Sequence, residues 1–125
     1  MAWWKWMTLF RRHNEEYTMS NILTITLNPA VDISMSVDHV APNRKLRTTP
    51  PHYNAGGGGI NVARVVKRLG GNATALFTCG GMEGELLQNL LKREDIHCLP
   101  VEIENATREN FVIQEEHSGQ QFRFT

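Results

Sequence analysis

Cysteine is scarce in this sequence, and the residues that could bind a metal are scattered. The chain has two cysteines, Cys79 and Cys98, which are too few for a disulfide framework and lack the CxxC spacing of a zinc or redox site. Free thiols of this kind favour a reducing, cytoplasmic location. No two of the five histidines lie four residues apart on a predicted helix, so the sequence predicts no metal site.

The chain also lacks an excess of charge and a long hydrophobic run. Thirteen basic and thirteen acidic residues give a formal net charge of zero, which does not favour a nucleic-acid partner. The apolar stretch at residues 2–10 is much shorter than the roughly 20 residues that cross a bilayer. It has no signal-peptide cleavage site either. We predict no membrane partner, with a helix on a membrane surface as the alternative for this stretch.

Two units of very different length make up the predicted organisation. Residues 1–19 are rich in tryptophan and then in charge, and we interpret them as a leader outside the domain that is expected to be disordered. Met19 would be a natural start, because a strand pattern follows it directly. The domain then covers residues 20–125, and we expect it to be truncated because the sequence stops at Thr125 inside an apparent strand.

Alternating, β-branched segments predict strands within this domain. They are residues 22–27, 33–40, 73–78 and 96–101, an edge strand at 45–53 that contains Pro50 and Pro51, and a hairpin of 111–113 with 121–124. Apolar residues at helical spacing predict two helices. One follows a glycine run, with Val62, Val65, Val66 and Leu69 on one face; the other covers Glu83 to Arg93, with Leu86, Leu87, Leu90 and Leu91 inward.

The order of these elements predicts an α/β fold. Strand, helix, strand, helix and strand in succession are typical of a parallel sheet covered by helices. The hairpin-like strands do not fit that layer. We therefore expect them in a small antiparallel sheet that stands apart from it.

The strongest local motif is the run of four glycines, Gly56 to Gly59, followed by Ile60 and Asn61. Glycines let a backbone approach a ligand closely, and the helix that follows directs unpaired N–H groups and a positive dipole end at it. The motif is not a P-loop, and Val62 stands where a dinucleotide fingerprint needs its third glycine. On its own, the run would also suit a flexible turn needed only for packing.

Four charged residues outside the glycine run could contact the same ligand. Asp32 follows the first strand, where a carboxylate can accept hydrogen bonds from sugar hydroxyls, although taken alone it suits the cap of a turn better. Arg108 could bind a phosphate through two parallel hydrogen bonds, or could be an exposed arginine on a strand. The same two interpretations stay open for Lys45 and Arg47.

Taken together, these motifs resemble one family. From Asn21 to Thr125 the sequence is similar to the N-terminal part of the PfkB, or ribokinase-like, carbohydrate kinases. The matching segments are Thr26 to Asp32, Lys45 to Arg47, Gly56 to Arg64, Leu69 to Ala73, Gly80 to Gly84 and Thr107 to Asn110. The resemblance is closest to the minor-type bacterial 6-phosphofructokinases, which carry four glycines before Ile-Asn. The 1-phosphofructokinases and tagatose-6-phosphate kinases usually place a lysine at the position of Gly58.

The resemblance implies a fold, an activity and a partner. The fold would be a three-layer α/β/α core with a small β-sheet lid, of which this chain holds the N-terminal part. The activity would be ATP-dependent phosphorylation of fructose 6-phosphate to fructose 1,6-bisphosphate, in the cytoplasm and in glycolysis. The alternatives are a 1-phosphofructokinase, a tagatose-6-phosphate kinase or an inactive truncated product. The lid would also form a homodimer interface.

The resemblance also implies residue roles. Asp32 would bind sugar hydroxyls, Arg108 would bind the phosphate of the sugar, and the stretch Gly57, Gly58, Gly59, Ile60 and Asn61 would contact the sugar through backbone N–H groups and the Asn61 amide. Lys45 and Arg47 would lie in the lid, near the site of the partner subunit. The catalytic aspartate, in a Gly-Ala-Gly-Asp motif, and most contacts to ATP and Mg²⁺ belong to the family's C-terminal part. These 125 residues are therefore expected to be inactive alone.

Overall fold

The computed structural model describes residues 21–125, so the predicted leader at 1–19 lies outside the described residues. This part of the chain forms seven strands and two helices. The strands are β1 (Ile22–Thr26), β2 (Ala30–Val37), β3 (His52–Gly56), β4 (Ala73–Cys79), β5 (His97–Glu102), β6 (Arg108–Glu115) and β7 (Gln121–Phe124), and the helices are α1 (Gly58–Arg68) and α2 (Gly81–Arg93). Within residues 21–125, no helix is both long and apolar enough to cross a membrane.

A parallel three-stranded sheet in the order β1-β4-β5 forms the main layer, as the sequence predicted. Both helices pack on one face of it, because the connections β1 to β4 and β4 to β5 run in the same direction across the sheet. The core on this face combines α1, α2 and the inward side chains of β4: Ile60, Ala63, Leu87, Leu91, Ala75, Phe77 and Cys79. The predicted inward leucines of α2 are confirmed, since Leu87 and Leu91 are fully buried and Leu86 and Leu90 pack against them.

The opposite face of the main sheet carries exposed aliphatic side chains. Ile25, Leu76 and Leu99 lie side by side in the register of β1, β4 and β5, and Ile25 is 58% exposed. We call this surface the open face and define it by its exposed members, Leu23, Ile25, Leu99 and Val101. Of the three layers that the resemblance implies, the described residues thus contain the sheet and one helical layer.

The apolar stripe that the sequence predicts on α1 is not the face that packs on the sheet. Val62 is 49% and Leu69 79% exposed, whereas Ile60 and Ala63 are buried. The small Ala63 side chain lets the helix backbone approach β1 and β4 closely. This orientation also brings Arg64 over the turn that follows α2. Periodicity detects an apolar stripe, but the neighbouring elements decide which face packs.

The remaining strands form a second, four-stranded sheet in the order β3-β2-β6-β7, which we call the lid sheet. The expectation of a purely antiparallel sheet was wrong, because β2 and β6 pair in parallel. Between β2 and β6 the chain also forms β4 and β5 of the main sheet, and β6 then runs in the same direction as β2. The hairpin of β6 and β7 is confirmed as antiparallel.

The predicted edge strand at residues 45–53 forms only at its end. The strand is His52–Gly56, and residues 45–51 have no regular structure. Pro50 and Pro51 cannot donate to a ladder, so the ladder with β2 begins only after them, although the Thr49 N–H already donates to the Ser36 carbonyl of β2 at 2.9 Å. One buried carboxylate fastens the long β2–β3 loop to the hairpin: Glu115 Oε1 accepts from the Val40 N–H at 2.6 Å and lies 2.8 Å from His39 Nδ1.

Candidate functional site

The glycine run spans the junction between a strand and a helix. Gly56 is the last residue of β3, Gly57 connects the two elements, and α1 begins at Gly58. Gly57 has a φ of 143°, a conformation that residues with a side chain rarely adopt. The Asn61 N–H donates to the Gly57 carbonyl at 2.9 Å and closes the first helical turn. The N–H groups of Gly58, Gly59 and Ile60 precede this bond and are the ones that a helix leaves for a ligand.

Asp32 lies directly against this junction. A Cβ on Gly56 would stand 2.2 Å from Asp32 Oδ2, so no side chain can replace the hydrogen at that position without moving the carboxylate. The pairing of β2 with β3 sets this approach, because Ala30 is opposite Gly56 and Asp32 is opposite Asn54. The first predicted site residue and the glycine run are therefore in contact.

The Thr26 side chain packs against Gly57 and Gly59. The sequence gave this residue no separate role. A Cβ on Gly57 would lie 2.6 Å from Thr26 Cγ2, and one on Gly59 would lie 2.7 Å from Thr26 Oγ1. Thr26 is 8% exposed, and among the described residues its Oγ1 has no hydrogen-bond partner. The signal in the sequence was a threonine on the inward side of an apolar strand.

A chain of polar contacts joins Asp32 to Arg108 across the lid sheet. Asn110 Nδ2 donates to Asp32 Oδ1 at 2.8 Å, and Arg108 Nη1 donates to Asn110 Oδ1 at 3.2 Å. Arg108 Nη2 also reaches the Asn28 carbonyl at 3.5 Å. The parallel register causes this arrangement, because Asp32 is opposite Asn110 and Ala30 is opposite Arg108. Asn110 is thus a central member of the site that sequence reasoning quoted only as part of a motif.

Asp32 and Asn61 line one open cavity of about 710 Å³, between β3, α1 and the end of α2. The other polar side chains in its wall are Tyr53, Asn54, Arg64, Arg68, Arg93 and Glu94. Arg108 is exposed and does not belong to this wall. The fold therefore places Asp32 and Asn61 in the wall of one cavity and links Arg108 to Asp32 only through Asn110.

The other predicted site residues lie in different surroundings. The Ile60 side chain is fully buried in the core, so only its backbone could contact a ligand. Gly58 is exposed, and a Cβ there would meet nothing within 4 Å. Lys45 and Arg47 are exposed in the loop between β2 and β3 and are not in the cavity wall.

Comparisons with known proteins agree on one family. The family described as "pfkB family carbohydrate kinase" matches residues 25–124. The ATP-dependent 6-phosphofructokinase isozyme 2 of Mycobacterium tuberculosis is 48% identical over 103 residues, which are 82% of this chain and 30% of that protein. The D-tagatose-1-phosphate kinase of Bacillus licheniformis is 38% identical over 92 residues, which are 74% of this chain and 30% of that protein.

Solved structures give the same answer for the fold. The crystal structure of phosphofructokinase-2 from Escherichia coli in complex with fructose-6-phosphate superposes with a TM-score of 0.80 at 45% identity, covering 86% of this chain and 35% of that one. A tetrameric inhibited form of the same E. coli protein superposes with a TM-score of 0.78, at the same identity and coverage. The chain thus spans about a third of the length of these relatives.

Proposed function

The chain belongs to the pfkB family of carbohydrate kinases, and on that premise we propose that it carries the sugar-phosphate-binding part of an ATP-dependent 6-phosphofructokinase. Such an enzyme transfers the γ-phosphoryl group of ATP to the primary hydroxyl of fructose 6-phosphate. The observation that carries the proposal is the Asp32 carboxylate, held between the Gly56 backbone and Asn110 in the same cavity as Asn61. The names of the relatives support this activity.

The Asp32 carboxylate, the glycine run and Asn61 each have a binding role in this proposal. Asn110 engages Asp32 Oδ1, so Oδ2 is the oxygen left to accept a hydrogen bond from a sugar hydroxyl. The N–H groups of Gly58, Gly59 and Ile60 and the Gly57 backbone line the approach of the sugar. The Asn61 N–H is engaged by the Gly57 carbonyl, so we assign the contact of Asn61 to its side-chain amide.

Arg108 is assigned to the phosphate of the sugar. Its guanidinium is exposed, and its two hydrogen bonds of 3.2 and 3.5 Å are long. A planar guanidinium can exchange such contacts for a bidentate, charge-assisted pair with a phosphate. Binding of a sugar phosphate would then connect Arg108 and Asp32, which Asn110 already holds in register.

A different sugar phosphate is the second candidate. The similarity to a tagatose-1-phosphate kinase supports it, at a lower identity than the similarity to 6-phosphofructokinases. Gly58 has open space around it, so the fold would accept the lysine that 1-phosphofructokinases and tagatose-6-phosphate kinases usually carry there. We therefore attribute the glycine at this position to substrate choice, which favours fructose 6-phosphate.

We assign ATP, Mg²⁺ and the catalytic aspartate to the part of the family's sequence that has no counterpart in this chain. The residues that the structure describes contain no group of three or more His, Cys, Asp or Glu side chains that could hold a metal ion. On this proposal residues 1–125 show no turnover by themselves, and they bind sugar phosphate weakly if they bind it at all.

A homodimer formed through the lid sheet and a cytoplasmic location complete the proposal. The exposed Lys45 and Arg47, in the loop of that sheet, would lie near the site of the partner subunit. The tetrameric form of the E. coli relative supports self-association in general.

The cytoplasmic location is supported by the cysteines. Both are free thiols, and burial raises the pKa of Cys79, so this thiol stays protonated.

The test is the affinity and turnover of the full-length protein with a panel of sugar phosphates. We expect fructose 6-phosphate to be preferred over fructose 1-phosphate, tagatose 6-phosphate and tagatose 1-phosphate. Asp32→Ala and Arg108→Ala should each weaken fructose 6-phosphate binding by about tenfold or more, because each removes a charged hydrogen-bond partner. Binding is measured by isothermal titration calorimetry, and turnover by release of ADP.

Two exposed charged residues in or next to the lid sheet serve as controls. Asp38→Ala follows β2, and Arg123→Ala lies on β7, so both should leave the affinity within about twofold. Unchanged binding after Asp32→Ala or Arg108→Ala would refute that residue's role. If another sugar phosphate of the panel binds more tightly, the proposal that fructose 6-phosphate is the substrate is wrong. If none of them binds, the proposed function is overturned.

A further inference from the structure

One arginine bonds to both ends of the glycine junction. Arg64, on the second turn of α1, donates from Nη2 to the Ala55 carbonyl at 2.7 Å and from Nη1 to Asn61 Oδ1 at 2.7 Å. Ala55 precedes the four glycines and Asn61 follows them. A single planar guanidinium therefore spans the segment whose N–H groups and amide surround the proposed ligand.

A carboxylate at the end of the other helix holds this arginine. Glu94, the residue after α2, accepts from Arg64 Nη2 through Oε1 at 2.8 Å and from Arg64 Nε through Oε2. The Arg64 side chain is only 16% exposed, although the residue lies on a surface helix. This bidentate pairing fixes the plane of the guanidinium and is available to arginine but not to lysine.

The contacts of Arg64 set the orientation of Asn61. A carboxamide has one acceptor oxygen and one donor nitrogen. Because Arg64 engages Oδ1, the donor Nδ2 is the end left for a hydroxyl or phosphate oxygen in the cavity that Asn61 shares with Asp32. Without the arginine, the amide could rotate and present its oxygen to the ligand, which would remove that hydrogen bond.

We infer that Arg64, held by Glu94, is a positioning residue for the sugar-phosphate site and acts through Asn61 and the glycine junction. This inference rests on the proposed function. Arg64 is separate from the groups assigned above to sugar binding, and its contacts within the chain already use Nε, Nη1 and Nη2. Its effect on affinity therefore passes through the atoms that it orders.

The inference is tested by a double-mutant cycle on fructose 6-phosphate affinity, measured by calorimetry in the full-length protein. We expect Arg64→Met to weaken binding by about tenfold. Asn61→Ala should weaken binding by a similar factor, and the double variant should be within about twofold of Asn61→Ala alone, because residues that act as one unit are not additive. Losses that multiply in the double variant would overturn the inference, as would unchanged binding by Arg64→Met.

Lys67 offers a matched control on the same helix. Its Nζ donates to the Glu94 carbonyl at 2.9 Å and to Asp95 Oδ2 at 2.8 Å, so it ties α1 to the same turn without contacting the glycine junction. Lys67→Met should leave the affinity within about twofold, even if it lowers the melting temperature. An equal loss of affinity in this variant would show that Arg64 has only a general structural role and would refute the inference.

Two further measurements keep the inference testable if a variant or the substrate fails. If Arg64→Met does not fold, Arg64→Lys replaces it, since lysine keeps the charge but cannot make the planar contacts, and it should still lose affinity. If no sugar phosphate binds the wild type, the proposed function has failed. Amide hydrogen exchange then still tests whether Arg64 orders residues 57–61. Exchange at residues 57–61 should then be faster in Arg64→Met than in Lys67→Met, and equal rates would overturn it.

Discussion

At the scale of single residues, the four glycines of the junction have different surroundings. Gly56 admits the Asp32 carboxylate, and Gly57 has a positive φ of 143°. Gly59 lies against Thr26 and the Ile25 carbonyl, whereas a Cβ on Gly58 would have no neighbour within 4 Å. Three of the glycines are therefore required by the fold. The fold does not require a glycine at position 58, so the residue there can differ between proteins that bind different ligands.

Substitution by alanine should separate Gly58 from Gly59. We expect Gly58→Ala to keep or slightly raise the free energy of unfolding, because alanine favours a helix by up to about 1 kcal/mol over glycine. Gly59→Ala would place its Cβ 2.8 Å from the Ile25 carbonyl oxygen, and such overpacking costs about 1–3 kcal/mol. Urea unfolding of both variants measures the difference, and equal stabilities would contradict this account of the junction.

At the scale of elements, Glu115 ties the β2–β3 loop to the β6–β7 hairpin. Its carboxylate accepts hydrogen bonds from the Ser118 hydroxyl and from the Val40 N–H, and His39 lies beside it. The hydrogen bond from Ser118, followed by that from Val40, lowers the pKa of Glu115 below its ordinary value of 4.5. The charged form is therefore favoured in the folded lid sheet.

This tie should give the lid sheet a dependence on acid pH. Because the folded pKa is below the unfolded one, the contribution of Glu115 is complete above its ordinary value of 4.5 and is lost as the pH falls through the lowered pKa. Glu115→Gln removes the charge at every pH. The melting temperatures of wild type and variant should therefore differ at neutral pH and converge in acid.

The neighbouring Glu116 is the control for this prediction, since it is an exposed glutamate in the same hairpin turn. Glu116→Gln should have the melting temperature of the wild type at every pH, because Glu116 is exposed and makes no side-chain hydrogen bond among the described residues. A difference in melting temperature between wild type and Glu115→Gln that stays constant down to strongly acid pH would contradict the stabilising role of the Glu115 charge. Thermal scans followed by circular dichroism measure both pairs.

At the scale of the whole molecule, the two helices cover one face of the main sheet and leave the other open. Leu23, Ile25, Leu99 and Val101 are between 46% and 58% exposed, and their strands belong to the same three-stranded sheet. Adjacent exposed aliphatic residues of this kind mark surfaces that bind other protein segments. The exposed Val62, Val65 and Leu69 of α1 add a second apolar strip.

We expect the isolated 125-residue chain to self-associate through the open face. Ile25→Lys places a charge at its centre and should weaken association by about tenfold or more, since a buried charge is costly. Asn89→Lys makes the same change of charge at an exposed position of α2 and should have no such effect. Sedimentation velocity over a concentration series measures association, and a wild-type chain that stays monomeric throughout would contradict the prediction.

The sequence was sufficient for most elements of the fold. The leucine periodicity predicted α2 over Glu83 to Arg93, and the observed helix is Gly81–Arg93. The alternating segments at 22–27, 73–78 and 96–101 agree with β1, β4 and β5 within one residue at each end. These signals are local, because side-chain spacing follows directly from the geometry of a helix or strand.

The errors arose where pairing partners are distant in sequence. The parallel pairing of β2 with β6 joins residues 78 apart in sequence, such as Asp32 and Asn110, and no local pattern predicts it. The outward orientation of the α1 stripe depends on which neighbours cover it. For the candidate site, the sequence suggested Asp32, the glycine run and Arg108 as candidates and gave no separate role to Thr26 or Asn110.

The sequence by itself determined the family, the order of the strands and helices, and the residue types that could bind a sugar phosphate. Only the tertiary structure decided which of these residues meet. It placed Asp32 against Gly56, Asn110 between Asp32 and Arg108, and Arg64 across the glycine junction. The physical reason is that spacing along the chain fixes local conformation, whereas contacts between distant segments depend on strand register and helix packing.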